Sequence, residues 1–264
     1  MGNLSRPGCI FYGISIAGLG FLTIYYHDFP YMLLPPQNSP IPHLATLTYI
    51  SGTLLILAGV CIVLEKQTRL VSFLLGCVLL LIFCFLYIPH EFMVNVNFKH
   101  LVEWDNAEKE LALAGGAFVI GGRYSETNEN LRNRFWEKLT PLGVILFSIP
   151  IISFGILHFL YANDASTLVP SWIPNPISWT YIAGVALFGS GVALILQIKP
   201  GLAAALLGTM IFIWFIILHI PRVIASPVAD IGSEATSAFL ALAYSGIAFV
   251  VAGTPKKKVE HIRS

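Results

Sequence analysis

Histidines and carboxylates are the groups in this chain best suited to chemistry, and most of them lie near one set of ends of its apolar segments. Six of the seven histidines and nine of the fourteen acidic residues fall there, while Lys and Arg are scarce. Imidazole changes its protonation between about pH 5 and 8, and carboxylates accept protons or cations. The pattern therefore favours proton exchange or cation binding. The six histidines are His27, His43, His90, His100, His158 and His219.

His158 and His219 are the strongest candidates for a ligand site. Both have apolar neighbours, where an imidazole without a partner is costly, and Arg222 follows His219 closely. They predict a polar pocket for a quinol-like or other small amphipathic molecule, with the imidazoles donating hydrogen bonds or accepting protons. The alternative is that they lie at the headgroups and bond loop carbonyls and water. The further candidates for ligand binding, in the first half of the chain, are His27, His90 and Glu91.

The cofactor stays open at this point. Paired histidines on two membrane helices also allow a b-type haem between His158 and His219, and Glu91 or Glu103 allows a zinc or copper site. The spacing requires none of these, so quinone and haem remain possibilities and no metal site is assigned. There is no Cys-x-x-Cys pair, no phosphate-binding glycine motif and no nucleophile elbow. No catalytic residue is assigned, and whether the chain is an enzyme stays open.

The composition requires a membrane. Of 264 residues, 56% are hydrophobic and 11% are charged, and the mean hydropathy is +0.77. A soluble domain carries about 25% charged residues. This composition excludes a soluble enzyme, a disordered chain and a nucleic-acid-binding protein, because so few charges cannot cover a soluble surface.

Eight apolar segments predict an all-α polytopic membrane protein with eight transmembrane helices. Each segment approaches the roughly 20 residues that cross a bilayer. The fourth is the exception, because its uncharged core follows Glu108, Lys109 and Glu110; it spans if Asp105 caps the helix and the charged first turn lies at the headgroups. The segments are Gly8–Tyr26, Leu44–Leu64, Leu70–Pro89, Leu111–Gly122, Leu139–Ala162, Ile177–Ile198, Leu202–Ile220 and Ala235–Gly253.

The basic residues predict the orientation. Twelve of the fifteen Lys and Arg residues lie on one side of the eight predicted spans. Because basic loops stay in the cytoplasm, both termini are expected there. An even number of spans agrees with this orientation.

An internal duplication is the clearest pattern in the sequence. A shift of 132 residues aligns residues 41–89 with 173–221 without a gap, and 18 of these 49 positions are identical. The identities include glycine, proline and tyrosine in register, which two unrelated membrane spans would not share. Four helices in each half predict a parallel repeat of two four-helix bundles, related by an axis along the membrane normal. The predicted units are residues 1–122, a cytoplasmic linker at 123–138, and residues 139–264 with a basic tail.

Glycines within the spans predict close helix packing. Gly52 and Gly59, like Gly184 and Gly191, are seven residues apart and share a helix face. Small residues let neighbouring membrane helices approach closely. The glycines of the fourth span predict another smooth face, either between the halves or between protomers.

A family resemblance rests on the second half of the chain. Gly155–Phe159, followed by Val169–Pro174 and then Tyr181–Gly184, resembles the DoxX-like family, in which a span ending in a His-Phe pair is followed by a proline-rich loop and a span with Tyr/His-x-x-Gly. The first half resembles a more divergent copy, with a proline-rich loop at Pro30–Pro42 and Tyr49–Gly52. The family includes a membrane subunit linked to thiosulfate:quinone oxidoreduction and, more distantly, a receptor-assembly chaperone.

Two functions follow as hypotheses. The first is a redox-associated subunit that binds quinone or another small apolar ligand at its outer mouth. The second is a non-enzymatic scaffold or chaperone that binds partner helices through its glycine-rich faces. The resemblance implies a bacterial cytoplasmic membrane, and the expected partners are the lipid bilayer and either another membrane protein or a second copy of the chain.

Overall fold

The structure is a computed structural model that describes residues 4–35, 41–94, 99–124, 131–226 and 231–254. For residues 131–137 and for Ile231 it describes the backbone alone. All regular structure in these ranges is helical, without a strand. Part of the first proline-rich loop (residues 36–40) and the basic tail (residues 255–264) lie outside the described residues.

Eight long helices make up the described part of the chain. A 3-10 turn, Leu101–Trp104, precedes the fourth helix, and a short helix, Ala162–Ser166, follows the fifth. The long helices are α1 Ser5–Tyr26, α2 Leu44–Val63, α3 Thr68–Met93, α4 Asp105–Arg123, α5 Leu131–Leu160, α6 Pro176–Ile195, α7 Pro200–Ala225 and α8 Ile231–Gly253.

Seven of these helices are long and apolar enough to cross a membrane, all but α4. The chain is therefore a helical polytopic membrane protein, since its apolar outer faces need lipid contact. Helix α4 differs because four of its first six residues are charged. Asp105 is its first helical residue and makes no capping bond; its carboxylate pairs instead with the Lys109 ammonium one turn later.

Helices α3 and α7 each contain a five-residue π-helical turn. The turns are Phe83–Tyr87 and Phe215–His219, and each stands just before a proline, Pro89 or Pro221. Proline has no N–H and its ring crowds the preceding turn, so the helix widens there. The last residue of the widened turn is Tyr87 in α3 and His219 in α7.

Several structural features recur at an offset of 132 residues. Helices α2 and α6 begin and end at positions with this offset, and so do α3 and α7 together with their π turns. Left-handed backbone is rare outside glycine. It nevertheless occurs at three non-glycine pairs with the same offset: His43 and Asn175, Glu65 and Gln197, and Gln67 and Lys199.

The first helix of each half packs on helices from both halves. Helix α1 packs mainly against α2 and α8, and α5 packs mainly against α6 and α4. Helices α4 and α8 meet in the centre, where Lys109 lies beside Tyr244 and Gly116 beside Ile247, so the two run in the same direction. At one end of the bundle Gly253 lies against Ser5. The opposite end, where α1 ends and α8 begins, is called the histidine end below.

Glycines mediate the closest helix contacts, as predicted. Gly52 packs on Gly20 and Gly59 on Gly13 between α1 and α2, while Gly184 packs on Gly155 between α5 and α6. The smooth face of α4 lies within the chain, because Gly115 meets Gly143 of α5. In each case a methyl group on the glycine would press against the backbone of the neighbouring helix. The glycine-rich faces are therefore used for intramolecular packing.

Candidate functional site

A cavity of about 550 Å³ lies at the histidine end, between helices of the second half of the chain and the start of α4. Helices α4 to α8 and the segment after α5 line it, and its wall is mainly apolar and aromatic. We call it the histidine cavity. Its main polar side chains are Asp105, Lys109, His158, Thr180, His219 and Ser237, and its main aromatic side chains are Phe154, Tyr161, Trp179, Trp214 and Tyr244.

His158 reaches the cavity from the last turn of α5. Its Nδ1 lies 2.7 Å from the carbonyl oxygen of Phe154, one turn earlier. A carbonyl only accepts, so Nδ1 carries the proton and donates it there. The other nitrogen, Nε2, is then a hydrogen-bond acceptor in the neutral imidazole. His158 thus offers the cavity an oriented acceptor.

His219 reaches the same cavity from the π turn of α7. Its Nδ1 is shielded from solvent and has no hydrogen-bond partner among the described residues. A buried polar atom without a partner costs about 1–3 kcal/mol, and such atoms in native proteins call for an explanation. His219 lines the cavity, but this nitrogen itself is closed to solvent, so a bound molecule satisfies it only once the imidazole turns toward the cavity. The structure therefore brings together the two histidines that the sequence singled out.

Helix α4 supplies a polar wall that the sequence analysis did not foresee. Asp105 and Lys109 line the cavity as an ion pair, and the Tyr244 hydroxyl of α8 donates to the Lys109 carbonyl oxygen at 3.4 Å. Helix α4 belongs to the other half of the chain, so spacing alone would not place it here. The available signal was the charged start of an otherwise apolar segment.

Arg222 lies near the cavity but does not line it. Its guanidinium forms a bidentate ion pair with Glu234 of α8, with Nε to Oε2 at 2.9 Å and Nη2 to Oε1 at 2.5 Å. The pair joins the end of α7 to the start of α8. Arg222 therefore positions the helix that carries His219, and its guanidinium is already engaged.

The three candidates from the first half lie away from this cavity. His27 is exposed at the end of α1, in left-handed backbone, with its ring 5.4 Å from that of Tyr49. His90 and Glu91 lie side by side near the end of α3, with Nδ1 and Oε1 3.3 Å apart. The first-half positions offset by 132 from His158 and His219 hold Tyr26 and Tyr87 instead.

Glu110 is a second buried group that the sequence analysis did not single out. Its side chain is fully buried, and neither carboxylate oxygen has a hydrogen-bond partner among the described residues. Ionised carboxylates are not left in such surroundings without a partner, so the carboxyl group is neutral there. Only its place beside an apolar run marked it in the sequence.

No cluster of three or more His, Cys, Asp or Glu side chains that could hold a metal ion occurs in the described part of the chain. Glu91 lies beside His90 and does not line the histidine cavity. The two cavity histidines supply imidazole nitrogens, which suit a haem iron or a hydrogen-bonded ligand equally in chemistry. The two imidazoles differ in their surroundings, since His158 Nδ1 bonds a backbone carbonyl and His219 Nδ1 is unpaired among the described residues.

Comparison with known proteins adds no assignment. No family model, curated protein or solved structure matches the chain. The cavity and its side chains are therefore the basis for assigning a function.

Proposed function

We propose that this membrane protein binds a small amphipathic ligand of the quinol type in the histidine cavity. The observation that carries the proposal is that His158 and His219 line one mainly apolar cavity of about 550 Å³. Cavities of this size and character take small apolar molecules, with a few polar groups fixing their orientation. The cavity opens at the histidine end, where a lipid-soluble molecule arrives from the headgroup region.

The two imidazoles favour the reduced form of a quinone. His158 presents Nε2 as an acceptor, and one hydroxyl of a quinol donates to it. His219 has Nδ1 unpaired, and with its ring turned toward the cavity that nitrogen, as an N–H, donates to the second quinol oxygen. A fully oxidised quinone has two acceptor oxygens and leaves His158 without a donor. His158 is then the group that accepts a proton when the quinol loses one.

The proposal includes the architecture that the sequence predicted. We infer eight membrane spans formed by a parallel duplication, with α4 as the eighth span. The recurrence of helix bounds, π turns and left-handed residues at an offset of 132 supports the duplication. The charged start of α4 is compatible with a span because Glu108 and Glu110 are buried inside the bundle and not turned toward lipid. The basic loops support cytoplasmic termini.

The resemblance to the DoxX-like family extends the proposal to a redox-associated subunit in a bacterial cytoplasmic membrane. It rests on Gly155–Phe159, Val169–Pro174 and Tyr181–Gly184, as given above. All three segments contribute side chains to the cavity, through His158, Val169 and Ala183. In that setting this chain would hold the quinol between its imidazoles, and its redox partner would be another membrane protein.

The alternative function is a scaffold for partner helices. It was predicted to use the glycine-rich faces, and most glycines of the helices pack within the chain. A partner would therefore need another surface. Purification in mild detergent separates the functions, because a ligand-binding protein retains quinone and a scaffold retains a protein.

Retention of a quinol by the purified protein tests the proposal. The wild-type protein is expected to bind decylubiquinol and to show quenching of Trp179 and Trp214 fluorescence, since both rings line the cavity. The variants His158→Ala and His219→Ala should each weaken binding by about fivefold or more, the value of one hydrogen bond. The exposed His27→Ala serves as the matched control and should bind normally. Normal binding by both cavity variants would overturn the assignment of the ligand site to His158 and His219.

A haem spectrum in the purified protein would show that the ligand is haem and not a quinol.

A further inference from the structure

Tyr87 and His219 occupy corresponding positions in the two halves and differ in their partners. Each is the last residue of a π turn, and the two turns are offset by 132 residues. The Tyr87 hydroxyl donates a hydrogen bond to the backbone carbonyl oxygen of Tyr31. The His219 Nδ1 has no partner among the described residues. A loop carbonyl thus satisfies the last side chain of the π turn in the first half, while no described group satisfies Nδ1 of the corresponding side chain in the second half.

The segment that supplies this oxygen is folded into the first half. Met32 and Leu33 are only 1% and 6% exposed, and they belong to the buried apolar core that runs through both halves and includes Leu79. The residue that corresponds to Leu79 is Ile211, which lines the histidine cavity. Phe29 also packs against this cluster. Apolar side chains from a loop therefore fill the interior of the first half near its π turn.

From this difference we propose that the first half contains a second copy of the ligand site, which the chain's own segment Phe29–Leu34 fills. In this copy the Tyr31 carbonyl oxygen takes the place of an oxygen of the ligand. The side chains of Met32 and Leu33 take the place of the apolar part of the ligand. The inference rests on the proposed function of the histidine cavity and sharpens its ligand class. The open site takes a molecule with an acceptor oxygen joined to an aliphatic portion, and His219 Nδ1 donates to that oxygen.

The side chains of Met32 and Leu33 are the reason why we expect the ligand to have an aliphatic part. Met32 and Leu33 are flexible and branched aliphatic side chains, respectively, with no further polar group to satisfy. An isoprenoid or alkyl quinol meets both conditions. A rigid polar heterocycle meets only the first, because its remaining polar atoms would be buried without partners.

Binding stoichiometry tests the inference. Calorimetric titration with decylubiquinol should give one site per chain for the wild-type protein and two for the double variant Met32→Ala/Leu33→Ala. The matched control Met93→Ala/Val94→Ala removes similar side chains from exposed positions and should keep one site. Tyr87→Phe, which removes the hydroxyl that holds the loop, should raise the occupancy of the second site toward that of the double variant.

The outcomes distinguish this inference from the proposed function. One site in the wild type and one in the folded double variant overturns the self-filled site and leaves the proposed function in place. No site in the wild type and one in the double variant overturns the proposed function and supports the self-filled site. No binding by either protein overturns both.

A labelling measurement decides the case in which the double variant does not fold. A cysteine introduced by Met32→Cys should react with a maleimide much more slowly than one introduced by Met93→Cys, because Met32 is 1% exposed and Met93 is 85% exposed. Peptide mass spectrometry reads the label at each position separately from the native cysteines. Equal rates at the two positions would overturn the inference.

Discussion

Unpaired polar atoms are the informative features of this protein at the scale of single residues. His219 Nδ1 and both oxygens of Glu110 are buried without a hydrogen-bond partner in the described part of the chain. His219 lines the histidine cavity, so a turn of its ring would let a ligand satisfy this nitrogen. Glu110 does not line that cavity. Its carboxyl group is therefore a cost to the fold that no ligand in the histidine cavity offsets.

The variant Glu110→Leu should stabilise the protein for this reason. The position offset by 132 already holds a buried leucine, Leu242. Removing an unsatisfied buried carboxyl should raise the free energy of unfolding by about 1–3 kcal/mol. Thermal unfolding in detergent measures the change. The reciprocal variant Leu242→Glu should be destabilised, and a loss of stability in Glu110→Leu would show that the carboxyl has a favourable partner.

At the scale of the helices, the π turns determine the direction in which nearby side chains point. Pro221 follows the turn that ends on His219, and its missing N–H prevents the regular helical bond to Ile217. The widened turn rotates the residues before the proline relative to those after it. His219 therefore depends on Pro221 for its direction into the cavity.

The variant Pro221→Ala should weaken decylubiquinol binding without lowering stability. An alanine restores the donor and lets α7 continue as a regular helix, which turns His219 away from the cavity. Loss of one hydrogen bond corresponds to roughly a fivefold weaker affinity. Fluorescence titration measures the affinity and thermal unfolding the stability. Pro89→Ala makes the same change in α3, and the histidine cavity should bind normally in that variant. Unchanged affinity in Pro221→Ala would remove the role assigned to the turn.

Close packing of α1 on α2 gives a second prediction for the elements. A side chain at Gly59 would press on the Gly13 carbonyl and the Ala17 amide, whereas nothing lies within 4 Å of a side chain placed at Gly189. Gly59→Leu should therefore cost about 1–3 kcal/mol or more, the usual effect of overpacking. Gly189→Leu is the matched control and should unfold at the temperature of the wild type. Equal melting temperatures for the two variants would contradict the predicted contact.

Local sequence patterns predict where the helices of this fold lie better than they predict which helices pack against each other. Seven of the predicted apolar segments correspond to long apolar helices, because about 20 uncharged residues in succession leave the chain little alternative. Nothing in the spacing of His158 indicates that Lys109, from the other half, forms part of the same wall. The π turns were also missed, since proline near the end of a span predicts a stop as readily as a widened turn. Burial of Glu110 depends on tertiary packing, and periodicity carries no information about it.

The whole molecule is organised by contacts exchanged between its halves. Helix α1 packs on α8, and α5 packs on α4, so the first helix of each half has the last helix of the other half as a main partner. The histidine cavity is closed by the same exchange, because α4 supplies Asp105 and Lys109 to its wall. The histidine cavity is therefore not contained in the second half alone, and each half contributes a helix to the packing of the other. The proposed duplication accounts for this exchange if two copies of an ancestral half once associated in the same way.

Separating the halves should make folding depend on their association. Residues 1–130 and 131–264, produced together as two chains, are expected to copurify and to bind decylubiquinol, since the break falls outside all eight helices. Each piece produced alone should fail to bind the quinol as a monomer, because α1 or α5 then lacks a main partner. As a control, the intact chain with residues 125–130 replaced by a glycine and serine segment of equal length should bind normally. Size-exclusion chromatography with light scattering gives the mass of each species, and a monomeric 131–264 chain that binds the quinol would contradict the interdependence of the two halves.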